Sequence, residues 1–112
     1  MSRANITWRS ETEEGEKCEV YAEKIGDRWL FHWRAGRYEE WRPYTKATLE
    51  DWLILLDNVQ RRIKRRWFRP EEEGRMLKKM VELYGVETLE GRGVVVPEEL
   101  GGHGEPPESE EG

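Results

Sequence analysis

Chemistry in this chain is carried by arginine and aromatic side chains rather than by any catalytic grouping. Arg61, Arg62, Lys64, Arg65, Arg66 and Arg69 put six positive charges into nine residues, with Trp67 and Phe68 among them. Such a cluster neutralises phosphates, and its aromatic rings offer stacking surfaces. A second group alternates along the segments before it: Tyr21, Arg28, His32, Arg34, Tyr38 and Arg42, with Arg9 and Tyr44 on the same parity. Guanidinium planes and phenol rings on one sheet face would suit single-stranded nucleic acid, which is held by stacking and backbone charge. The competing explanations are a solvated sheet face with an Arg34–Glu19 ion pair, and a helix end whose cations complement its dipole.

Catalytic groupings are missing from this inventory. The two histidines are His32 and His103, and the single cysteine is Cys18, so no zinc-ligand spacing exists. No glycine-rich phosphate loop follows a strand, and carboxylate pairs such as Glu39-Glu40 are too common in this composition to mark acid–base chemistry. The expectation is a non-enzymatic protein with no cofactor and no metal. A lone cysteine suggests a reducing, cytoplasmic setting. The longest wholly apolar run, Trp52 to Leu56, is far short of a membrane span, so no membrane partner is expected.

Charge is distributed unevenly. The net charge is -5, yet residues 28–69 carry eleven Lys/Arg against five Asp/Glu, while residues 97–112 carry no cation and six Glu. A basic middle between acidic flanks points to nucleic acid or an acidic protein surface as partner. The high charged fraction with two Asn and one Gln resembles thermophile composition.

These side chains need elements to hold them. Strands are expected over residues 5–12, 16–25, 28–34 and 38–44, each alternating apolar and polar residues and bounded by a glycine-containing turn. Pairing across a two-residue Gly26-Asp27 turn sets Ala22 against Phe31 and Val20 against Trp33. A three-residue Glu13-Glu14-Gly15 loop sets Trp8 against Val20 and Ile6 against Ala22. Both registers gather apolar residues on one face. For the third hairpin, an Ala35-Gly36-Arg37 loop pairs Phe31 with Trp41 and Leu30 with Arg42, which keeps Glu40 off the core face. The Trp29, Phe31 and Trp33 stripe is therefore read as core rather than as a base-stacking platform.

Helical spacing of Leu49, Trp52, Leu53, Leu56, Val59, Ile63 and Trp67 predicts a helix over 48–67, with Thr48 and Asp51 as an N-capping pair. Ile54 and Leu55 widen its apolar stripe enough to suit a homodimer or a second helix. Pro70 with Glu71–Glu73 predicts a helix over 70–84, closed by Gly85. Val94–Val96 would add a short strand. The fold class expected is α+β: a four-stranded antiparallel meander followed by two α-helices, the first packed on one sheet face. One domain is expected over 1–97 and a disordered acidic tail over 98–112.

Four antiparallel strands followed by a long helix resemble the element order of the whirly and related single-strand-binding folds, over about residues 5–67. That resemblance implies a helix packed on the sheet and available for dimerisation. The expected function is a small nucleic-acid-binding regulatory protein that favours single-stranded DNA or RNA. The alternative is a protein–protein interaction module, an inhibitor or adaptor of a larger nucleic-acid or transcription enzyme.

Overall fold

The structure is a computed structural model, and it describes residues 5–12, 14–26, 28–45 and 47–104. The chain divides into two compact units, residues 1–69 and 70–112.

The first unit is an α+β fold. Strands β1 (Asn5–Glu11), β2 (Lys17–Ile25), β3 (Arg28–Arg34) and β4 (Arg42–Pro43) form one antiparallel sheet in that order, followed by helix α1 (Leu49–Lys64). Side-chain parity sets the register of the first three strands. Trp8 lies opposite Val20, Ile6 opposite Ala22, Val20 opposite Trp33 and Ala22 opposite Phe31. Any one-residue slip would turn Ile6, Val20 and Ala22 outward, and all three are buried. Gly15 and Gly26 take positive φ at the two turns, a conformation that costs glycine no Cβ clash. Phe31 anchors the covered face, with its ring 4.8 Å from Trp52 of α1 and 6.1 Å from Trp8. At the other end of the stripe Trp29 meets Phe68 at 6.2 Å.

The fourth strand departs from expectation. Trp33 pairs with Arg42 and His32 with Pro43, so residues 35–40 form a longer connection closed by a Glu39 N–H to Gly36 carbonyl bond of 3.0 Å. This register differs by three residues from that of the three-residue loop, and an odd shift reverses the faces. Trp41 therefore leaves the covered face for the open one, while Arg42 and Tyr44 join the covered side. The longer loop lifts Glu39 and Glu40 out of the sheet altogether, which removes the conflict that had argued for the shorter one. Tyr38 lies in this loop rather than in a strand, and is 93% exposed.

α1 begins at a capping box between Thr48 and Asp51 and buries Trp52, Leu55, Leu56 and Val59. Of the two residues that widen the stripe, Leu55 is buried within a single copy and Ile54 is half-buried. The helix stops at Lys64, three residues before the expected end. Trp67 consequently lies beyond the helix, 43% exposed, instead of on the buried stripe.

The second unit contains α2 (Glu71–Tyr84), α3 (Val86–Gly91) and a 3-10 turn (Glu98–Leu100). Its buried side chains are Met76, Leu77, Met80, Leu89 and Val96. Gly85, at φ 88, closes α2 and opens α3, a single short helix whose Val86 and Leu89 repeat is too brief to read from periodicity. Val94–Val96 form no strand; Val94 N–H bonds back to the Leu89 carbonyl at 3.0 Å. Residues 98–104 continue the structure past the expected boundary at 97, and the rest of the expected tail, 105–112, lies outside the described residues.

Candidate nucleic-acid interface

The basic segment is shaped by the way α1 ends. Arg66 sits in the left-handed region at φ 65, the single non-glycine residue with positive φ among the described residues. Arg66 N–H reaches the Ile63 carbonyl at 2.9 Å and Trp67 N–H reaches the Arg62 carbonyl at 2.8 Å. These two bonds define a Schellman turn, in which the residue after the cap is ordinarily glycine. The turn ends the helix so that Arg61, Arg62 and Lys64 lie on α1 while Arg65, Arg66 and Arg69 follow it.

Their surroundings separate them into two groups. Arg61 is paired with Asp57 at 3.0 Å, and Arg62 is half-buried against Asn58, bonding its carbonyl and Oδ1 at 3.3 and 3.2 Å. Burial first, and the nearby Arg65 charge second, lower the Arg62 pKa from its ordinary value. Arg62 thus serves the helix end. Lys64, Arg66 and Arg69 are exposed with no carboxylate within 4.0 Å among the described residues. Arg65 lies over the exposed Trp67 ring, its guanidinium carbon 5.5 Å from the centroid. Exposed unpaired cations next to an exposed indole form the chemistry that holds a phosphate backbone and stacks a base.

The open sheet face is more self-contained than its sequence suggests. Tyr21 and His32 stack at 4.6 Å, and Trp41 stands edge-on to Tyr21 at 4.8 Å. Arg34 lies 4.4 Å over the Trp41 ring and donates through Nε to Glu19 at 2.8 Å. Glu23 lies 3.7 Å from His32 Nε2. The arginine charge and the ring faces are largely used within the face itself. Arg28 is exposed at the start of β3, Arg42 is exposed on the opposite side of the sheet, and Tyr38 stands alone in its loop. Of the twelve residues singled out from sequence, the structure gathers Tyr21, Arg28, His32 and Arg34 on one face and the six of 61–69 at the helix end.

The residue that sequence reading underrated is Asp51. It appeared only as a capping partner, yet its side chain is fully buried at the junction of sheet and helix. Oδ1 accepts from Trp8 Nε1 at 3.0 Å and Ser10 Oγ at 2.9 Å. Oδ2 accepts from Tyr44 Oη at 2.9 Å, Thr48 N–H at 3.2 Å and Thr48 Oγ1 at 3.0 Å. Burial alone pushes the pKa up, but the bonds from Trp8, Thr48, Tyr44 and Ser10 together outweigh it, and the net direction is down. The signal was available: Asp51 precedes Trp52 and stands one helical turn before Leu55, which places a carboxylate on the apolar stripe. Cys18 is buried as expected, and burial followed by the Asp51 charge raises its thiol pKa.

Among the described residues no group of three His, Cys, Asp or Glu is arranged to hold a metal, and no helix is long and apolar enough to cross a membrane. No protein-family model, curated protein or solved structure matches this chain.

Proposed function

We propose that the protein is a small non-enzymatic regulator that binds nucleic acid, favouring single strands, through the turn that follows α1. The observation that carries this reading is the set Lys64, Arg65, Arg66 and Arg69, with Arg65 over the exposed Trp67 ring and no carboxylate paired to any of the four among the described residues. Arg61 and Arg62 stand behind them as helix-end partners. The open sheet face, with Tyr21, His32 and Arg34 engaged among themselves, is secondary.

Fluorescence anisotropy with labelled single-stranded oligonucleotides tests the proposal over a series of salt concentrations. Four phosphate contacts release counterions with a log–log slope of about -3 for single strands. Converting Lys64, Arg65 and Arg69 to Gln reduces that slope to about -1. Absence of binding at low salt, or a slope unchanged in the triple variant, overturns the reading.

A second reading has its own observation. Ile25 and Leu30 are exposed at 43% and 36% on the open face beside the Tyr21–His32–Trp41 cluster. An apolar margin around a neutralised polar centre suits a protein partner, such as a larger nucleic-acid or transcription enzyme. Capture of that partner after nuclease treatment, lost on Leu30→Glu, favours this alternative.

A further inference from the structure

At one end of the first unit, the β1–β2 turn, the last residues of β3 and the segment entering α1 surround an open cleft of about 260 Å3. Its lining includes Glu14, Cys18, Trp33, Pro43, Tyr44 and Thr48. The volume admits a small organic group rather than a drug-sized ligand. Two features define its chemistry. Trp33 and Tyr44 supply aromatic rings, whose electron-rich faces attract cations. Two acidic groups stand at the cleft: Glu14 forms part of the wall, and Asp51 lies directly behind Tyr44 and Thr48, bonded to both.

Among the described residues the partners of Asp51 (Trp8, Ser10, Tyr44, Thr48) are all neutral donors, so its charge is offset by the N-terminal end of the α1 dipole and not by a cation. No lysine or arginine lines the cleft among the described residues. Burial first, and the Asp51 charge second, raise the pKa of the Cys18 thiol in the cleft wall. The thiol therefore stays protonated, and the cleft is not built for nucleophilic chemistry.

We propose that this cleft binds an alkylammonium cation, held by the Trp33 and Tyr44 rings and attracted by Glu14 and Asp51. A bulky, weakly hydrated cation suits it better than a metal ion, since rings and a proline line the space and no cluster of oxygen ligands converges there. The site is separate from the basic turn after α1 and does not depend on nucleic-acid binding.

The test is an amide and indole NMR titration of the full chain with choline chloride, set against the uncharged dimethylbutanol of the same shape, at constant ionic strength. Saturable shifts of the Trp33 indole and the Tyr44 and Thr48 amides are expected for choline, with Kd on the order of 1–10 mM. The neutral mimic should bind at least about tenfold more weakly, because it lacks the charge on which the attraction rests. Trp33→Leu weakens choline by about tenfold, and Glu14→Gln by about threefold. Glu14 is an exposed turn residue, so its variant reads the site even if Trp33→Leu disturbs the fold. A trimethyllysine peptide distinguishes the source: tighter binding than choline assigns the head group to a protein tail, and equal or weaker binding to a free amine. Equal affinity for choline and the neutral mimic, absence of saturable shifts, or wild-type affinity in Glu14→Gln overturns the proposal.

Discussion

Asp51→Asn is a nearly isosteric change whose cost follows from hydrogen-bond directions alone. Asn offers one oxygen and one NH2 where Asp offers two oxygens. Trp8 Nε1 donates to one carboxylate oxygen and Thr48 N–H to the other, and neither group can accept a bond. Hydroxyls of Ser10, Tyr44 and Thr48 can rotate, but an indole N–H and a backbone N–H cannot. Either orientation of the amide therefore sets its NH2 against a donor. One buried donor left unmet costs about 1–3 kcal/mol, and replacing charge-assisted bonds by neutral ones adds about 1 kcal/mol more. The expected loss is about 3 kcal/mol in urea unfolding at neutral pH, large for a domain of this size. Tyr44→Phe removes a single donor while leaving the carboxylate four bonds, and should cost about 1 kcal/mol. The dependence on pH supplies a further check. Because the folded pKa of Asp51 lies below the unfolded value of about 3.9, its contribution is fully present above that value and is lost as pH falls through the folded pKa. The gap between wild type and Asp51→Asn should accordingly narrow in acid. A loss under about 1 kcal/mol at neutral pH, or a gap that widens on acidification, would refute the account of Asp51 as a charged hub.

Two further substitutions probe the backbone. Arg66→Gly relieves the left-handed conformation and should stabilise the fold by about 1 kcal/mol in urea unfolding, while lowering the salt slope of oligonucleotide binding by about 0.7. Stability and binding moving in opposite directions is the signature of an arginine kept for its charge at a position that favours glycine. Gly102→Ala places a Cβ 2.1 Å from the Val96 carbonyl oxygen, a backbone atom that cannot swing away. The loop from Val96 to Gly104 must then detach, and hydrogen exchange should show the Gly102 and Gly104 amides losing protection.

The legible part of the fold was the part in which each residue had one acceptable face. Ile6, Val20, Ala22 and Phe31 have no second choice, so the register of β1, β2 and β3 followed from parity. Trp41 and Tyr44 are aromatic residues with a polar atom, and both suit either face. Only the distant Asp51 decides between them, by taking the Tyr44 hydroxyl. The end of α1 was hidden for a related reason: arginines are good helix formers, and nothing in Arg65-Arg66 announces a left-handed residue. Site composition was legible in the same uneven way. Arg/Lys density marked the segment 61–69, but whether each cation is free or engaged depends on Asp57, Asn58 and the direction of the turn. On the sheet face, Trp41 crossing over to stack with Arg34 consumed the surface that the sequence appeared to leave open.

The shortness of β4 has a consequence for how the molecule behaves in a crowd. Tyr44 N–H bonds the Phe31 carbonyl, so Tyr44 and Arg42 are the residues that bond inward to β3, and Pro43 between them turns its nitrogen outward. That outward position is where an incoming strand would seek a donor, and proline has none. Arg42 beside it adds charge to the same margin. A sheet with three tryptophans in its strands thus ends, on the β4 side, on a border that refuses extension, which guards that edge against pairing with the protein's own copies.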